Sequence, residues 1–175
     1  MHPDLLKLET DLTTSLRGLD SRSTQATPCN RPDKWSIQQI VEHLLNTYRG
    51  SIPVIQARLD KGSRTRAKPT FRQRMGQFFI ITLGRFPSGR VAPAAVAPSL
   101  PTTVRSGAEL AERVSTELRK LDDVTAQGEH LFGNRRAVSH IILGPLSMHQ
   151  WRRFHLIHGL HHLKQVAAIR REHSI

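Results

Sequence analysis

Half of the chain's ten histidines, at positions 149, 155, 158, 161 and 162, fall within fourteen residues, in and just ahead of the run WRRFHLIHGLHHLKQV. At about 100° per residue, His158 and His162 stand roughly 40° apart, one helical turn above the other. Two imidazoles so placed can direct nitrogens at one ion, which makes H-x3-H a good chelating geometry. Gln165 lies close to the azimuth of His158, where it could support a ligand or touch a substrate, and His155 and His161 flank that face at about 60° on either side. A metal site also needs a ligand from another element. His43, in WSIQQIVEHL, is the natural candidate, although it sits about a quarter turn from the centre of the Ile37/Ile40/Leu44 face and so at its edge. The same histidines would equally suit half-buried packing positions or a basic exposed face.

Four long helices must position these groups. Leu5, Leu8, Leu12, Leu16 and Leu19 recur at helical spacing behind Pro3, predicting a first helix over 3–19. Residues 20–34 read as a surface connection. Ser36-Ile-Gln-Gln39 has capping-box spacing and opens a second helix reaching about Leu59, which Pro53 should bend or end early. An amphipathic piece over 71–83 predicts a short helix, followed by an extended crossover punctuated by Pro87, Pro93, Pro98 and Pro101. Ser106-Gly-Ala-Glu109 opens a third long helix with the stripe Leu110, Val114, Leu118, Leu121. Residues 122–146 read as another connection, with a short turn around 138–143. Ser147-Met-His-Gln150 opens the last helix, from about Met148 to Arg171. No strand pattern competes and no internal repeat is visible, so the expected class is all-α, a four-helix bundle within one domain, a fold that builds metal sites from inward-facing side chains.

The 175 residues suffice for one good core and are 38% hydrophobic. Twenty-six Lys and Arg against fourteen Asp and Glu give +12, which attracts nucleic acid, anionic lipid or acidic small molecules. Much of the excess is local: residues 61–90 hold eight cations and no acid. The single Cys29 cannot form an internal disulfide, no leader-like pattern opens the chain, and a cytoplasmic location is the expectation. The longest mainly apolar run, 78–83, is far short of the roughly 20 residues that span a bilayer.

WSIQQIVEHL near the start and HGLHHLKQV near the end together resemble the DinB/YfiT-like family of metal-dependent proteins, four-helix bundles with up-down-down-up topology. The resemblance implies His43, His158 and His162 as ligands of a divalent metal, zinc or nickel. The family's final motif is often H-x2-H-H-x2-Gln, matched by His158, His161, His162 and Gln165; Lys164 stands where many members have glycine. The resemblance extends to the order of the helices and to the Gly144-Pro-Leu-Ser147 turn, whereas the basic stretch 61–103 reads as an insertion or crossover added to the common core.

What the family implies for chemistry is hydrolysis, or transfer and isomerisation with a low-molecular-weight thiol such as mycothiol, bacillithiol or glutathione as nucleophile. Arg72 and Arg74, with Arg85 and Arg90, are candidates to hold the acidic part of such a cofactor, and Gln165 to contact it. Glu42 adjoins His43 but points about 100° away, and Cys29 lies in a loop-like stretch with no pattern of its own. The rival readings are non-enzymatic: nucleic acid gripped through residues 61–90 with Trp35, Trp151 or Phe side chains stacking on bases, or a bundle that dimerises or docks an acidic protein through 78–83.

Overall fold

The computed structural model describes residues 1–87, 89, 92–99 and 103–175. It is mostly helical, with helices α1 (Pro3–Leu16), α2 (Ile37–Asp60), α3 (Phe71–Gln77), α4 (Gly107–Phe132) and α5 (Met148–His173), and a two-stranded antiparallel hairpin of β1 (Val138–His140) and β2 (Gly144–Leu146). The all-α expectation stands, with the hairpin as its one exception among the described residues. α1 packs against α4 and α5, and α2 against α4 and α5, so the apolar stripes of the four long helices meet in one cluster around Leu8, Leu12, Leu44, Tyr48, Leu118 and Ile157.

The helix starts are chemically marked. In α2, α3, α4 and α5 a Ser or Thr hydroxyl accepts from the backbone three residues on, while the Gln or Glu there reaches back to the cap N–H, satisfying donors that a helix start leaves free. α1 uses the His2 Nδ1, which accepts from the Asp4 N–H at 3.2 Å.

Boundaries differ from the sequence reading where tertiary packing decides them. α1 ends at Leu16 rather than Leu19, because Arg17 turns extended and Gly18 takes φ 79°; Leu19 is buried even so, and its carbonyl accepts from Gly107 at 2.9 Å. Pro53 does not end α2, which continues to Asp60 with Ile55 fully buried beyond it. α4 runs to Phe132, well into the expected connection, since Val124, Thr125, Gly128 and Phe132 prolong its buried side. The amphipathic piece over 71–83 divides into α3 and a π-helical turn, Phe78–Thr82. The hairpin was not expected from the sequence: its strands are three residues each, too short to show an alternation.

Candidate metal centre

α5 can approach α1 closely only because residue 159 is glycine: a Cβ there would run into Leu8 Cδ1. That contact seats the middle of α5 inside the core, where His155, His158 and His162 are all buried. From α2, His43 is buried too, at 4% exposure against 5% and 6% for His158 and His162. The edge position that the helical wheel assigns to it is therefore covered by other chain.

His158 Nε2 lies 3.2 Å from His43 Nε2 and 3.1 Å from His162 Nε2, and ligand atoms of all three lie within 4.8 Å of one another. The outer nitrogens fix the tautomers. His43 Nδ1 donates to the Val96 carbonyl at 2.8 Å, and His162 Nδ1 donates to Gln165 Oε1 at 2.9 Å. Each bond leaves an Nε2 lone pair facing inward, the usual way in which an outer partner orients a histidine ligand. Gln165 Nε2 in turn meets His161 Nε2 at 3.4 Å. If His158 carries its proton on Nδ1, both Nε2 contacts oppose lone pair to lone pair; if it carries it on Nε2, that single proton cannot fully satisfy both neighbours.

A cation at the common point would turn that repulsion into ligation. Two nitrogens about 2.05 Å from one tetrahedral ion stand roughly 3.3 Å apart, close to the observed 3.1 and 3.2 Å. Two of the three edges thus match a divalent metal of the kind that takes imidazole, and the third, from His43 to His162, lies within 4.8 Å. Burial favours this protonation state as well. It pushes the His162 pKa down to about 4, against the Gln165 hydrogen bond that raises it. His158 is held well below its ordinary value by burial and then by its two histidine neighbours, and His43 is lowered by burial, partly offset by the Val96 carbonyl. Neutral imidazole is the ligating form, so at neutral pH no proton need be displaced.

Aromatic rings wall the cluster. The Trp35 indole is 5.0 Å from His43 and nearly parallel to His162 at 6.4 Å, while Phe86 lies 4.9 Å from His158 and 5.2 Å from His161. Phe154 stacks on His158 from the turn before. Neither Phe86 nor the Val96 carbonyl carries a sequence signal: both sit in the proline-rich stretch, and a backbone acceptor has no residue type. Trp35 forms part of the wall rather than an open stacking platform, being half-buried against the core.

Other candidates lie elsewhere. His155 is outside the cluster, fully buried among Tyr48, Trp151 and Phe154, and burial pushes its pKa down to about 3. His149 pairs with the His2 ring at the start of α5. Glu42 is half-buried and accepts from Gln38 Nε2 at 2.8 Å. Cys29 is exposed, with its Sγ 3.5 Å from His173 Nε2 at the far end of α5. Arg72, Arg74 and Arg85 are exposed; Arg74 lines a hollow of about 420 Å³ with Gln77, Phe78, Thr82, Arg136 and Gln150, none of them a residue of the cluster. Arg90 lies outside the described residues.

The histidine triad and its two helices fall within a match to the DinB superfamily over residues 5–166. The chain belongs to the DinB superfamily. No curated protein and no solved structure gives a significant match. The DinB match runs from the first core leucine of α1 to Val166 of α5, and so takes in both His43 and the H-x3-H pair.

Proposed function

We propose that this DinB-superfamily chain is a three-histidine divalent-metal protein, with His43, His158 and His162 as ligands and zinc or nickel as the ion. The observation that carries the reading is the convergence of three Nε2 atoms, two of them fixed in the ligating tautomer from outside. The scaffold is taken as a single up-down-down-up four-helix-bundle domain with 61–103 as an insertion or crossover, in keeping with the pairing of the four long helices.

The reaction proposed is metal-dependent hydrolysis or thiol-dependent transfer or isomerisation. An ion held by three neutral imidazoles keeps its full charge and supplies Lewis acidity that lowers the pKa of a water or thiol at an open position. The chain's own contribution is positional. The Val96 carbonyl and Gln165 hold two rings in register, and Trp35, Phe86 and Phe154 wall the cluster. In the thiol-dependent form, Gln165 contacts the cofactor and Arg72 and Arg74 attract its acidic groups.

The test is metal content of the untagged protein by mass spectrometry, with His43→Ala and His158→Ala/His162→Ala beside it. About one equivalent of a divalent ion, lost in both variants, supports the site. A wild-type chain that neither carries nor takes up metal refutes it and leaves the rival reading, a non-enzymatic bundle that binds a polyanion or a protein partner through its basic segment.

A further inference from the structure

α3 and the π-helical turn after it are apolar on two sides. Gln77 and Ile80 face the core, yet Phe71, Met75, Phe78, Phe79 and Leu83, spaced about a turn apart, are all exposed, Phe71 by 81%. The β1–β2 hairpin packs beside that surface, on the Gln73 and Gln77 side of α3. Gln77 Nε2 donates to the Leu143 and Pro145 carbonyls at 2.7 and 3.2 Å, and Gly144, at φ 68°, leaves room for the Gln73 amide where a Cβ would stand. This fixes the hairpin tip against α3, with Ile141 87% and Ile142 54% exposed beside it. Scattered exposed apolar side chains are ordinary on a soluble protein. A cluster of this kind on one promontory marks an interaction surface.

Charge says what the surface meets. The chain has no acid between Asp60 and Glu109, and none between Glu129 and Glu172, the two segments that build the promontory. Arg74 and Arg136 flank Phe78 on the shared hollow. Neither they nor Arg72, Arg85 and Arg135 form an ion pair among the described residues. A nucleic acid would take the arginines but leave the leucine and isoleucines in water, since bases stack on rings rather than on aliphatic chains. The boundary of an anionic bilayer takes both: acyl chains receive the protruding apolar groups and lipid phosphates receive the cations around them.

We propose that the α3–hairpin promontory is a peripheral docking surface for an anionic lipid bilayer, with Phe71, Phe78, Phe79 and Ile141 entering the acyl boundary. Docking is peripheral because no helix among the described residues is long and apolar enough to cross a membrane. It does not depend on the metal reading.

The experiment is co-sedimentation of the untagged full chain with vesicles of phosphatidylcholine alone or with about 30% phosphatidylglycerol, an anionic surface of ordinary strength. Binding should favour the anionic vesicles by tenfold or more, order of magnitude, and weaken as salt is raised. Phe71→Ser/Ile141→Ser should lower affinity roughly tenfold or more, with circular dichroism and thermal melting unchanged because both side chains are exposed. Arg85→Gln/Arg136→Gln should lower it by about ten- to thirtyfold on anionic vesicles alone. Equal binding to both vesicle types, no vesicle binding, or wild-type binding by Phe71→Ser/Ile141→Ser would overturn the proposal. So would tight binding of duplex DNA with no vesicle binding, or a dimer that Phe71→Ser/Ile141→Ser dissolves, each naming another occupant.

Discussion

Replacing His155 with leucine should flatten the acid side of the stability profile. The His155 ring is fully buried, and burial first, with a smaller contribution from His140, brings its pKa down to about 3. In the unfolded chain it titrates near the ordinary histidine value of about 6.5. The folded pKa is therefore depressed, so the unfolded state binds more protons as pH falls through 6.5, and stability that is complete above that value is lost on the way down. At pH 5 the unfolded histidine is almost fully protonated while the folded one is neutral, a difference close to one proton and a slope of about 1.3 kcal/mol per pH unit. Integrated from pH 7 to pH 5, His155 alone removes about 1.9 kcal/mol. Urea titrations of chelator-treated wild type and His155→Leu at pH 7, 6 and 5 measure this directly, provided the m-values agree. The expected result is a variant that loses about 2 kcal/mol less than wild type over the interval. Equal losses in the two proteins would mean that His155 is not held neutral, and would refute the argument.

Two further substitutions test the packing that seats the cluster. Arg152 is 2% exposed and ties α5 to α4 through Glu129 Oε2 at 2.6 Å and Thr125 Oγ1 at 3.0 Å; Arg152→Ala leaves the buried Thr125 hydroxyl without its donor but the 43% exposed Glu129 carboxylate open to water, so it should cost about 1–2 kcal/mol in urea unfolding, and a loss below about 0.5 kcal/mol would contradict the pairing. Gly159→Ala should destabilise by about 1–3 kcal/mol through overpacking against Leu8. Leu8→Ala in the same chain should recover part of that loss, so strict additivity of the two would count against the contact.

The helical class, three of the four capping boxes and the pairing of His158 with His162 could be read from residue types at fixed spacing, whereas His43 joined them only through the family resemblance. Thr70-Phe-Arg-Gln73 has the same spacing as the other boxes but stands in a stretch dominated by cations and prolines. The second half of α4 was hidden because its buried side is continued by Thr125 and Gly128 rather than by leucines; Gly128 is where Met148 Sδ packs, 2.7 Å from where a Cβ would lie. The hairpin was hidden by its length. Within the site, spacing could pair His158 with His162 but could not decide whether His43 lies inward. That depends on the backbone around Val96, which covers the edge of α2 and supplies the acceptor for His43 Nδ1.

α5 shows why spacing alone could not sort the histidines. From Trp151 to Gly159 every residue but Arg153 is buried, so little polar face remains to mark which positions point where, and a helix covered on most sides loses the periodic contrast from which direction is read. His155, His158 and His162 follow one another at three- and four-residue steps and share a buried, neutral state. Their surroundings separate them. His155 meets Tyr48 and aromatic rings, whereas His158 and His162 meet the nitrogen of another histidine. The same desolvation that costs stability in acid at His155 thus leaves unprotonated nitrogens at the other two. Only the arrival of His43 from α2 distinguishes a packing histidine from a candidate ligand.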